Sequence, residues 1–156
     1  MPRYAEGTKV NSYRSREEIE RTLIRYGATG FMYGTQGDRA TVAFEMDERR
    51  VQFILPMPDR TDREFTHTPS RGQVRTQDQQ DKAYEQAVMQ RWRALALVIK
   101  AKLEAVDAGI TEFESEFMAH IVLPNGQTVG NWMRPQIERA YETGSMPPLL
   151  PAPGGV

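Results

Sequence analysis

The chain has 156 residues, 39% of them hydrophobic and 26% charged, with a formal net charge of −1 and no cysteine. That length suffices for one domain with its own core, and the balance is that of a soluble globular protein rather than a disordered or membrane one. Lacking cysteine, the chain has no disulfides, thiolate metal sites or thiol nucleophiles. It shows neither a signal-peptide core at its start nor an apolar run long enough for a membrane span, so a cytoplasmic location is expected.

The small net charge hides a split. Residues 1–102 hold 18 Lys or Arg against 14 Asp or Glu, and residues 103–156 hold 2 against 7. One side can therefore be basic, although a pI of 6.2 is below that of a dedicated nucleic-acid binder.

In chain order, residues 1–14 carry no apolar period and read as an N-terminal arm. Ser15 then stands three residues before Glu18, a capping box. It predicts a helix with Ile19, Leu23 and Tyr26 inward, ending at Gly27 in a left-handed C′ conformation. Strands are expected at 31–33, 40–46 and 50–55, because Val42, Phe44 and Met46, and again Val51, Phe53 and Leu55, alternate with polar or small residues. The links are hairpin-sized, which makes an antiparallel meander. Residues 56–77 hold three prolines, four arginines and three acids without a period, and are expected to form a mobile loop.

A long helix is predicted from 79 to 107, stopped by Gly109. A short helix carrying Phe113 and Phe117 follows, then a hairpin with an Asn125-Gly126 turn, and a last helix with Pro135 in its first turn. The tail, 146–156, is proline-rich. The expected fold is α+β: a three-stranded antiparallel meander packed on a long helix, with an N-terminal helix and a C-terminal helical cap, as one domain over 15–145.

The long helix decides between recognition and packing. Trp92, Leu95, Ala96, Ile99, Leu103 and Val106 fill a stripe about 100° wide, as a core-facing helix requires. Ala94, Leu97, Val98, Ala101 and Ala105 form a second apolar stripe on the opposite side. The charges keep to the seams: Arg91 and Lys102 on one, and Arg93, Lys100, Glu104 and Asp107 on the other, where Lys100 and Glu104 are spaced to pair. Two apolar stripes predict two buried faces. The second is expected to meet the C-terminal segment with Phe113, Phe117 and Trp132, or another copy of the chain.

Recognisable catalytic motifs are absent. His67 and His120 are followed two residues later by Pro69 and Val122, not by the hydroxyl residues of a two-histidine phosphoesterase. His120 leads an apolar run and reads as structural. Glu112, Glu114 and Glu116 would spread over about 200° of a helix, which suits a solvated face better than a metal site. No phosphate loop, dinucleotide fingerprint, HExxH or GxSxG element occurs, so no cofactor or metal is expected. Tyr13, Arg14, Arg16 and Arg25, with Lys9, Arg21 and Tyr26 interleaved, combine guanidinium and aromatic groups that grip phosphates and stack bases. Arg60, Arg63, Arg71 and Arg75 add to this from the loop.

The segments "SREEIERTLIRYGATGFMYG", "EFTHTPSRGQVR", "RWRALALVIKAKLEAV" and "AHIVLPNGQTVGNWMRPQIERAYETGSMPPLLP" together resemble a family of uncharacterised proteins of tailed bacteriophages and prophages. The resemblance spans nearly the whole chain. It implies a phage accessory protein acting in the bacterial host cytoplasm and carries over no catalytic or binding residue. The order helix, meander, long helix also occurs in the double-stranded-RNA-binding domain, but the acidic and amidic "QDQQDKAYEQ" stands where that domain has a lysine-rich clamp. Phage single-strand annealing proteins share a meander followed by a long helix, an analogy of fold alone.

The expected function is therefore nucleic-acid binding without catalysis, preferentially single-stranded. Tyr13, Arg14, Arg16, Arg25, Arg60, Arg63, Arg71 and Arg75 are the expected contacts, in a homo-oligomer with no membrane partner. The alternatives are an anti-defence inhibitor that binds a host effector protein or sequesters a nucleotide signal, and an enzyme built on His67 with nearby carboxylates.

Overall fold

The computed structural model describes the backbone of residues 3–146 and the side chains of residues 12–146. The expected tail, apart from Met146, lies outside the described residues. Helix α1 (Arg3–Arg25) leads into strands β1 (Gly30–Gln36), β2 (Arg39–Met46) and β3 (Arg49–Pro56). Then come a one-turn helix α2 (Arg63–Thr66), the long α3 (Gln77–Asp107), α4 (Phe113–Phe117), a 3₁₀ turn (Met118–His120) and α5 (Val129–Thr143). The sheet is antiparallel in the order β1-β2-β3. The architecture is the expected α+β arrangement.

Alternation places the core. Val42 and Phe44 of β2 and Val51 and Phe53 of β3 are buried with Trp92, Leu95, Ile99 and Leu103 of α3. Ile19 and Leu23 of α1 close one side, and Phe117 of α4 meets Phe44 and Phe53 edge-on at 5.8 and 6.3 Å. The other sheet face stays open, with Met32 and Ile54 exposed.

Helix α1 spans Arg3–Arg25, so residues 3–14, expected as part of an arm, are helical and Ser15 is not a cap. The reason is tertiary: Ser12 is buried, α1 packs along α3, and the Arg16 guanidinium lies 4.2 Å from the Tyr33 ring. Packing of this kind supplies helix stability that local signals do not show. The end is as expected. Gly27 has φ +99°, Ala28 N–H donates to Leu23 O and Gly27 N–H to Ile24 O, a Schellman closure.

Segment 56–77, expected to be a mobile loop, has structure of its own. Phe65 is buried and meets Tyr84 edge-on at 5.5 Å, and His67 bridges to Val74. Arg60 lies 4.0 Å over the Tyr84 ring and donates to Asp81 at 3.1 Å. Asp81 is only 5% exposed and also accepts from Gln77 at 3.1 Å. A buried carboxylate needs such donors, and supplying them straps the segment to α3. The helix begins at Gln77 rather than 79 because Thr76 and Gln79 form a reciprocal capping box.

The second stripe of α3 differs from the expectation most. Leu97 is 61% and Val98 43% exposed, and Ala94 and Ala101 are open as well. The C-terminal segment does not cover them, because Phe113 and Phe117 turn into the sheet side of the core. Lys100 and Glu104 do not form the expected pair; among the described residues the one i,i+4 ion pair is Lys82–Asp78 at 3.2 Å.

Helix α5 starts at Val129, capped by Thr128, whose hydroxyl accepts from Asn131 N–H at 3.2 Å. Pro135, expected in the first turn, therefore lies inside the helix. The preceding turn is as expected: Asn125 Oδ1 accepts from Gln127 N–H, and Gly126 has φ +91°.

Candidate nucleic-acid interface

The eight expected contact residues fall into two groups, one on α1 and one on the strap, and both elements pack on α3. Among the described residues no hydrogen bond or ring contact joins the groups. Within each, some side chains are committed to structure and others are free.

On α1, Arg16 is committed. Its guanidinium sits 4.2 Å from the centre of Tyr33, 5.5 Å from Tyr13 and 6.0 Å from Trp92, and its Nε donates to Ser12 O. Tyr13 is 61% exposed and edges a shallow recess shared with Arg16, Glu17, Glu20, Phe31 and Tyr33. Arg14 and Arg25 are exposed, with Arg21 on the same side of the helix. At about 3.6 residues per turn these three arginines form a single row about 16 Å long, which the exposed Glu18 shares between Arg14 and Arg21. None of the three joins an ion pair among the described residues. Arg21 was absent from the expected contacts, although its spacing of seven and four from Arg14 and Arg25 gives the signal.

On the strap, Arg60 is held by Asp81 and Tyr84, and the Arg75 Nε donates to His67 O at 3.1 Å. Both maintain the fold of the segment. Arg63 and Arg71 are exposed. Arg63 crosses beside Gly72, where a side chain's Cβ would meet its Nη2 at 3.3 Å. Gly72 itself has φ +63°, a conformation that favours glycine.

The histidines are used structurally. His67 Nδ1 is 2.7 Å from Thr66 Oγ1, and its backbone carries the bridge to Val74. His120 stacks on Phe53 at 4.1 Å; burial lowers its pKa below 6.5, and Lys102 acts in the same direction. Among the described residues no cluster of His, Asp or Glu is arranged to hold a metal. Of the three alternating glutamates, Glu114 pairs with Arg49 and Glu116 with Lys102, each at 3.2 Å.

A cleft of about 860 Å³, missed at the level of sequence, opens between the β2–β3 turn and the 121–126 turn. Its arginines are neutralised where they stand, Arg49 by Glu114 and Arg50 by Glu45 at 2.9 Å. It offers an anion no unpaired guanidinium, so the free cations of α1 and the strap remain the better anion-binding surface.

Fold and surface together define an α+β protein whose first helix carries a row of exposed arginines outside the ion pairs of the described residues, Arg25 lying 5.8 Å from the ring of its neighbour Tyr26. No family model, curated protein or solved structure matches the chain. Among the described residues no helix is long and apolar enough to cross a membrane.

Proposed function

We propose that the protein binds nucleic acid, preferentially single-stranded, as a phage accessory protein of the host cytoplasm without chemistry of its own. The observation that carries this reading is the exposed row Arg14, Arg21, Arg25, which joins no ion pair among the described residues. Guanidinium groups outside internal ion pairs are available to phosphate oxygens, and the exposed Tyr13, next to Arg14 in sequence, offers a stacking face. Arg63 and Arg71 extend the surface; Arg16, Arg60 and Arg75 hold its elements in place. Gel shifts with a single-stranded oligonucleotide at graded salt test the reading. Retardation that fades as salt rises is expected, because phosphate binding releases counterions; indifference at low salt would remove the proposal.

A second reading, an inhibitor that binds a host defence effector, is favoured by α5. Its Ile137 is 50% and Tyr141 88% exposed, and among the described residues none of its side chains is buried. Exposed apolar side chains on one helix suit a protein groove. Native mass spectrometry of protein taken from infected cells separates the readings. A bound oligonucleotide supports the first and a stoichiometric protein partner the second; a discrete nucleotide mass would mark the variant of the second in which a signal is sequestered.

A further inference from the structure

The outer face of α3 is the largest departure from what a free-standing fold requires. Ala94, Leu97, Val98 and Ala101 lie three or four residues apart, hence on one side of the helix, and all are exposed. Ala83, Ala87, Gln90 and Ala105 prolong the same side, Ala83 and Ala87 half-buried in a recess with Phe65 of the strap, so α3 itself places no charge there over about six turns. A solvated helix ordinarily shows its charged residues there.

The flanking charges limit what can cover it. On one margin the cations are committed: Arg91 Nη1 donates to Pro56 O at 2.6 Å, and Lys102 pairs with Glu116 at 3.2 Å. On the other margin Arg93, Lys100 and Glu104 form no ion pair among the described residues. Arg93 and Glu104 stand three turns apart on that same margin, of opposite sign.

We infer that this face is a self-association surface on which α3 packs antiparallel against α3 of a second copy. A two-fold axis between antiparallel helices brings each margin against itself in reverse order. With the axis beside Val98, Arg93 comes level with Glu104 of the second copy, and the same pair forms again by symmetry. Ala94 then sits between Ala101 and Ala105 of the other helix, and Leu97 packs on its Val98. The alanines let the axes approach to about 8 Å, the near end of the range for packed helices. The register follows from charge as well as shape. On the opposite margin the Lys102 charge is balanced by Glu116 of its own chain and Arg91 is held on Pro56 O, which limits repulsion at this setting. Two helices over this length bury less than the roughly 800 Å² per partner of a standard interface. The dimer is accordingly concentration-dependent, dissociating in a range on the order of micromolar.

Sedimentation velocity on the full chain over a wide concentration range tests this, with circular dichroism to confirm that each variant folds. The expected result is a monomer–dimer equilibrium that closes at two chains. Leu97→Lys weakens it at least tenfold, and Arg93→Glu or Glu104→Arg alone weakens it severalfold. The double exchange Arg93→Glu with Glu104→Arg restores it, since the reversed pair again matches. A chain that stays monomeric at millimolar concentration would overturn the inference. So would growth into larger oligomers, or a dimer that ignores these changes and is broken by Ile137→Asp in α5, which would assign the contact to that helix.

Discussion

Asp81 is the side chain on which the strap depends. It is 7% exposed as a side chain, whereas its partner Arg60 is 58% exposed, so the cost of losing the pair is unequal. Asp81→Ala removes an acceptor serving both Arg60 and Gln77 and is expected to destabilise the protein by about 2 kcal/mol, with Arg60→Ala costing about half of that. Hydrogen exchange over residues 57–76 checks it: faster exchange confined to the strap in Asp81→Ala is expected, and an unchanged strap would show that its other ties to α3, Phe65 on Tyr84 and Gln80 Nε2 donating to Arg75 O, hold it. His120 gives a pH signature. Its folded pKa lies below 6.5, so the unfolded chain binds the proton more readily, and this contribution is present above pH 6.5 and lost as pH falls through the folded value. The melting temperature of the wild type should drop between pH 7 and pH 5 by more than that of His120→Gln. Parallel curves would mean that the imidazole is not desolvated in the native state.

At the scale of elements, strong local signals agree with the structure wherever packing does not intervene. Alternation at 42, 44, 46 and 51, 53, 55 placed two strands and their buried face, and the stripe from Trp92 to Leu103 placed the core side of α3. What was not legible depends on partners distant in sequence: Ser12 and Arg16 extend α1 because α3 and Tyr33 lie beside them. The Thr76–Gln79 box was legible but was masked by the proline- and arginine-rich segment before it. The β2–β3 turn keeps a local conflict. Asp47 and Glu48 both have positive φ, +51° and +60°, in a two-residue hairpin that favours Asn-Gly. Glu48→Gly relieves left-handed strain of about 1–2 kcal/mol but loosens the unfolded chain. A net stabilisation of up to about 1 kcal/mol is therefore expected in urea denaturation, and a loss of stability would show that Glu48 makes a compensating contact.

Over the whole molecule, composition located the basic half of the chain but not the division of labour within it. Spacing alone cannot tell an arginine tied to a distant ring of its own fold, as Arg16 is to Tyr33 or Arg60 to Tyr84, from one without such a tie, because both types interleave with aromatics. The structure leaves Arg14, Arg21 and Arg25 as an exposed row outside the ion pairs of the described residues, and the proposed function rests on them. The most direct measurement is fluorescence anisotropy of a labelled single-stranded oligonucleotide at several salt concentrations, for the wild type and for the Arg14→Ala, Arg21→Ala, Arg25→Ala variant. Each phosphate contact contributes about 0.7 to the log–log salt slope on a single strand. The variant should therefore bind more weakly with a slope lower by about 2; equal affinity and equal slope would contradict the account.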